Sequence, residues 1–180
     1  MIRLSQVTLI RGTKVLFKGA DLALNPGDRI GLIGANGSGK SSLFALLRGE
    51  LHADNGEVDY PARWRVAHVA QETPALDRAA LDYAVDGDTT LRRLERELAA
   101  AEADEDTELS GIRMGELHAA LSDAGAYTVR SRAEHLLHGL GFTHEQMDEP
   151  VASFSGGWRM RLNLAQALMC PSDLLLLDEP

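Results

Sequence analysis

Only one cysteine, Cys170, stands in the 180 residues. It excludes an internal disulfide and suits a reducing compartment, where a thiol near a helix end packs as a small hydrophobe. No apolar run approaches the roughly 18 residues that would span a bilayer, and the N-terminus lacks the apolar core of a secretory leader. Positive charge is short: 18 Lys and Arg face 27 Asp and Glu, a net −9. That balance argues against a surface that coats DNA or RNA generally. The six histidines offer no metal set. His135 and His138 share a helix face without a Cys or third ligand, which reads as surface or packing. No internal repeat or low-complexity linker divides the chain. At 44% hydrophobic and 25% charged, it suits one domain with a substantial core, expected in the cytoplasm.

What is present begins with Gly34-Ala35-Asn36-Gly37-Ser38-Gly39-Lys40-Ser41. The run fits G-x-x-x-x-G-K-[ST], a loop that cradles phosphate. Arg29-Ile30-Gly31-Leu32-Ile33 before it reads as a short buried strand launched by Pro26-Gly27. Ser42 to Arg48 after it reads as a helix ended by Gly49. Glycines let backbone wrap closely round a phosphate chain, while successive N–H groups and a helix N-terminus supply positive potential. Lys40 is expected to reach the β- and γ-phosphates of a nucleotide, with the Ser41 hydroxyl on Mg²⁺ and Ser42 close by.

A second part of such a site lies at residues 173–180, where Asp173-Leu174-Leu175-Leu176-Leu177-Asp178-Glu179-Pro180 reads as an apolar strand ending in two carboxylates. Such a run suits a strand buried on both faces of a parallel sheet. Asp178 is a candidate Mg²⁺ ligand, since that hard cation takes oxygen donors. Glu179 is the candidate to polarise an attacking water.

Between these motifs the pattern changes twice. Residues 1–28 read as β-structure, with Ile2, Leu4, then Val7 and Leu9 before a turn at Gly12, and with 57–60 and 64–70 as further strands. Gln71 ends the last of them. From 86 to 125, eleven carboxylates face four arginines, a balance of −7. Leu91, Leu94, Leu98 and Ala101 step by 3, 4 and 3, and Met114, Leu117, Leu121 and Ala124 repeat the steps. Two such stripes joined by the polar 104–107 predict an antiparallel helical hairpin over about 88–125. It reads equally as a packing subdomain or as a partner-binding arm. Finally Phe154-Ser155-Gly156-Gly157-Trp158 precedes an amphipathic helix ending before Pro171, with Ser155 as its N-cap.

GANGSGKS, a strand-end Gln71, FSGGWRMRLNLAQAL and LLLLDEP, in that order, resemble an ATP-binding cassette (ABC) ATPase over the whole chain. The resemblance implies an α/β P-loop NTPase fold of ABC type: a mixed sheet core, an antiparallel β subdomain and a helical insertion over about 72–153. It implies ATP as substrate with Mg²⁺, Gln71 on the metal and the attacking water, and Ser155, Gly156 and Gly157 as the signature that closes over ATP held by another cassette. Within the family the chain is most similar to the first cassette of ABC-F proteins, which act on ribosomes. Trp158 stands where transporters usually carry Gln, RMRLNLAQAL is typical of that branch, and the 84 residues from Gln71 to Ser155 exceed a transporter's usual interval by about a helix pair. The alternative is the ATPase subunit of an ABC transporter.

Two departures follow. Arg11 stands where transporters usually stack an aromatic residue on adenine; its guanidinium can lie over the base, or it is a solvated turn residue. The D-loop, switch histidine, linker and second cassette are not in these residues, so the chain is expected to be a truncated piece, inactive alone. A strand from that part would separate 29–33 from 174–178, leaving them parallel, unbonded, and roughly 9–10 Å apart, with the slot prone to aggregation. An acidic hairpin repels phosphate over a Debye length of about 8 Å, so basic ribosomal protein is its expected neighbour.

Overall fold

Interrupted alternation builds the first sheet. The computed structural model describes residues 1–61, 63–69, 75–103 and 109–178. Gln71, the 104–107 connection, Glu179 and Pro180 therefore lie outside the described residues. Contacts divide the chain into one unit of 1–66 with 172–178, and a second of 67–171.

In the first unit, β1 (Ile2–Arg11) lies between β2 (Lys14–Leu24) and β3 (Asn55–Asp59), antiparallel to both. The inward residues are Ile2 and Leu4, then Val7 and Leu9. A strict period of two fails between Leu4 and Val7, where both pairings shift register. Gln6 takes up the extra residue at φ 50°, a β-bulge that turns the odd positions inward. The Asp21 carboxylate secures it, accepting the Gln6 N–H at 2.8 Å as well as its side-chain amide. A Cβ on Gly56 would fall 2.3 Å from Gln6 O, so the strand passing the bulge requires glycine.

Helix α1 (Lys40–Leu47) buries Leu46 and Leu47 in the cluster of Ile2, Leu4, Val7 and Leu176, with Leu43 and Phe44 at its margin. Fully burying a leucine contributes about 1.5–3 kcal/mol, so this face fixes the helix on the sheet. Gly49, at φ 73°, turns the chain out and its N–H returns to Leu46 O at 3.1 Å, the glycine stop expected there. The Leu-rich strand is β5 (Leu174–Leu176), neighbour of β4 (Val66–His68), whose first residue belongs to this unit. Asp173 leads into it, donating its N–H to Arg65 O at 2.8 Å and accepting the Arg65 N–H on its carboxylate at 2.8 Å.

The strand expected over 29–33 does not form. Residues 28–35 have no regular structure, and Ile30, Leu32 and Ile33 are 59%, 40% and 95% exposed. An apolar extended run becomes a strand only when a neighbour completes its backbone ladder. Among the described residues β5 pairs with β4, and nothing pairs with 29–33. The expected parallel pair is therefore missing one of its two strands.

The second unit is helical: α2 (Ala80–Val85), α3 (Thr89–Glu102), α4 (Leu109–Asp123), α5 (Ala126–Gly139), α6 (His144–Met147), a 3-10 turn at Val151–Ser153, and α7 (Gly156–Met169). Asp88 caps α3, accepting the Leu91 N–H at 3.1 Å while 1% exposed. Leu91, Leu94 and Ala101 of α3 are buried with Leu117 and Leu121 of α4. The two helices pack on each other, and Arg113 of α4 reaches Glu97 of α3 at 3.8 Å; such exposed pairs add at most about 1 kcal/mol. Apolar burial, not charge, joins them.

Helix α2 is buried almost throughout, against α7 and α5. Its Tyr83 hydroxyl donates to Asn163 Oδ1 at 2.7 Å, and Gln166 Nε2 donates to Tyr83 O at 3.1 Å. Burial, and after it Asp86, pushes the Tyr83 phenol above its ordinary range. The approach is closest at Gly87, where an added Cβ would lie 1.8 Å from Gln166 O. That atom is backbone and cannot swing aside. Gly87→Ala is expected to cost at least about 2 kcal/mol, read as a lower urea midpoint at unchanged slope. An unchanged midpoint would show that α2 and α7 can part without loss.

Candidate functional site

The loop between β2 and α1 closes on itself through its backbone. The Ser38 N–H donates to Ala35 O at 3.1 Å, and Gly37 and Gly39 sit at φ 73° and 106°. Side chains are excluded by contact as well as by conformation. A Cβ on Gly34 would stand 2.6 Å from Ser38 Oγ, and one on Gly39 would stand 3.1 Å from Phe17 Cζ and 3.2 Å from Leu16 Cβ. Main chain without a side chain is therefore required at Gly34 and Gly39, on either side of the turn that leads into α1.

Gly39 is the N-cap of α1, with no side chain accepting from the first-turn N–H groups and no acidic residue in that turn. The partial positive charge of about +0.5 at a helix start is therefore uncompensated. Lys40, the first helical residue, folds its ammonium back over the loop, donating to Gly34 O at 2.9 Å and Ala35 O at 3.4 Å. A cation, free N–H groups and a close main-chain surface together suit an oligophosphate.

Of the remaining expected residues, Ala35, Asn36 and Ser41 are exposed at the loop, and Ser42 is half-buried in the first turn of α1. Arg11 is exposed at the end of β1, in the hairpin whose register sets it opposite Lys14. Asp178 is 6% exposed, beyond the end of β5 in the same unit. Ser155, Gly156 and Gly157 are exposed at the start of α7 in the other unit. Ser155 occupies the expected N-cap position, yet its side chain makes no capping bond, which corrects the expectation that it caps through its hydroxyl.

Lys14 was not among the expected site residues. Its ammonium donates to Gly37 O at 2.7 Å, at the apex of the loop. The signal was in the sequence: a two-residue turn, Gly12-Thr13, puts positions 11 and 14 side by side, so anything that brings Arg11 near the loop brings Lys14 too. A second cation at the rim raises the positive potential over the same backbone.

A scan against protein families matches the ABC transporter family over residues 17–180. The chain belongs to that family. A Haemophilus influenzae protein named "Probable ATP-binding protein YheS" is 54% identical over 180 residues, covering 100% of this chain and 28% of that protein. Human ATP-binding cassette sub-family F member 3 is 40% identical over 188 residues, covering 99% of this chain and 25% of that one. This ABC chain thus spans about a quarter of the length of the curated relatives it matches. Among solved structures, an inward-facing metal-chelate type ABC transporter superposes with a TM-score of 0.64 at 23% identity, covering 99% of this chain and 59% of that one. A nucleotide-free ATP-binding cassette gives 0.62 at 20% identity, covering 99% and 68%. These neighbours establish the α/β fold of an ABC cassette. No helix among the described residues is long and apolar enough to cross a membrane.

For an ABC loop of this shape, Gly39→Ala is expected to weaken ATP binding at least about tenfold, close to 1.4 kcal/mol, by calorimetric titration. It imposes a positive φ on a side chain and pushes against Leu16 and Phe17. Unaltered affinity would mean that the loop shifts without disturbing its phosphate-facing amides.

Proposed function

We propose that this chain is an ATP-hydrolysing cassette of the sub-family F kind, working in the cytoplasm, whose closure on ATP drives a conformational change at the ribosome. The observation that carries the ATP reading is the Lys40 ammonium lying across the Gly34 and Ala35 carbonyls at the mouth of an uncapped helix. Lys40 would exchange those carbonyls for the terminal phosphates, which offer charge-assisted bonds worth about 1.5–3 kcal/mol each. Amides of residues 37–42 would hold the phosphate chain, and Arg11 the adenine.

The donor set suits Mg²⁺: a hydroxyl at Ser41, a carboxylate at Asp178 and the Gln71 amide are hard oxygen ligands. Mg²⁺ there would neutralise charge on the β- and γ-phosphates. In hydrolysis a water oxygen attacks the γ-phosphorus, the bridging oxygen leaves with ADP, and Glu179 takes the water's proton, with Gln71 orienting that water. Ser155, Gly156 and Gly157 serve the ATP of a second cassette. Support for the sub-family F role comes from human sub-family F member 3, from Trp158 after the signature glycines, and from the extra helix pair α3–α4. The transporter structures, at 23% and 20% identity, support the fold alone.

Two substitutions in the full-length protein separate binding from chemistry. Lys40→Ala is expected to lower ATP affinity at least about tenfold. Glu179→Gln keeps shape but cannot accept the proton, so binding persists while turnover collapses. Normal turnover in Glu179→Gln would remove the general base from the account, and normal binding in Lys40→Ala would remove the site.

A further inference from the structure

The start of α7 is poorly secured by its own sequence. Its first two residues are Gly156 and Gly157, among the weakest helix formers, and Ser155 gives no side-chain cap. At the cap the Arg159 N–H donates to Ser155 O at 2.9 Å. A first turn of this kind frays unless something holds it from the side.

Trp158, the third helical residue, is what the rest of the unit grips. Its ring meets the edge of Phe142 at a centroid distance of 4.8 Å and an interplanar angle of 71°. Phe142 is 1% exposed and is itself set edge-on against Phe154 at 5.5 Å. The Arg161 guanidinium lies 4.7 Å from the Trp158 ring centroid, and its Nη1 donates to Leu140 O at 3.2 Å. Both partners converge on one turn. Gly141 there has φ 94°, and a Cβ on it would stand 3.4 Å from Arg161 Nη1 and 3.9 Å from the Trp158 ring. The turn is in turn fixed by Gly141 N–H on His138 O at 3.0 Å and by the Thr143–Gln146 capping box that starts α6.

We infer that Trp158, held by Phe142 and Arg161, is a positioning residue for the Ser155-Gly156-Gly157 edge, setting the direction in which those exposed groups face a partner cassette's nucleotide. The inference rests on the signature role given to that edge under the proposed function. Edge-to-face aromatic pairs and cation–π contacts are directional, so this clamp fixes the rotation of the first turn as well as its attachment. Arg161 belongs to the same device and acts through Trp158, touching no nucleotide.

The clamp affects closure and turnover but not the capture of ATP by the cassette's own loop. In full-length protein, Trp158→Ala is expected to lower kcat for ATP hydrolysis at least about tenfold while the dissociation constant for ATP, titrated on a Glu179→Gln background, stays within about twofold. Trp158→Phe, which retains a ring edge-on to Phe142, is expected to recover kcat to within about threefold of the wild type. Arg161→Ala should fall between them, with Arg161→Lys closer to wild type. Thermal midpoints are measured in parallel. Full turnover in folded Trp158→Ala overturns the inference. So does a Trp158→Phe variant that regains the thermal midpoint without regaining turnover, because the ring then only stabilises the fold. If the wild type hydrolyses ATP no faster than Lys40→Ala, the ATPase reading itself fails and the inference falls with it.

Discussion

The N-terminal end of α1 is the constraint around which the first unit is arranged. A helix start carries N–H groups that need an acceptor, and here neither cap nor carboxylate supplies one. Folding leaves that potential in place and offsets it elsewhere. Leu46 and Leu47 bind the far end of the helix to the sheet, so the exposed end can stay unsatisfied toward solvent. In the loop before it, Ser38 occupies the place of a Cβ on Gly34, and Leu16 and Phe17 crowd the place of one on Gly39. Two lysine ammonium groups then rest on the loop's own carbonyls. The site holds a positive potential in waiting, with its cations on weak neutral acceptors that an anionic phosphate outcompetes.

The helical unit solves a different problem. Its core is long and apolar, from Ala80 to Met169, and needs no charged partner to form. Arginine and carboxylate pairs lie at its surface: Arg92 with Asp86 and Glu95, each at 2.8 Å. Burial alone would lower the Arg92 pKa, but these two carboxylates more than reverse that and raise it. The weak point of the unit is the glycine-rich start of α7, where Trp158 of that helix packs edge-on against Phe142, which in turn packs against Phe154.

The readable parts of the sequence were those in which local chemistry decides the structure. Gly49 announced the end of α1, the Leu91–Ala101 and Met114–Ala124 steps announced helices, and the apolar positions of β1 announced a strand with the right inward residues. Non-local terms escaped it. The bulge at Gln6 depends on Asp21 and on the crowding by Gly56, fifteen and fifty residues away. Residues 29–33 have strand composition without a ladder partner, and composition cannot supply one. Lys14 reached Gly37 because of hairpin register, which a residue-by-residue motif search passes over. Ser155 reads as a cap by type and holds the N-cap position, yet its side chain makes no capping bond.

If the backbone from Gly37 to Ser42, with Lys40 released from its own carbonyls, receives the phosphates of ATP, amide hydrogen exchange across residues 34–48 registers it. ATP with Mg²⁺ is expected to slow exchange at residues 37–42 at least about tenfold, AMP is not, and Leu46 and Leu47 exchange alike in both. Equal exchange at residues 37–42 with ATP, with AMP and without nucleotide would contradict it.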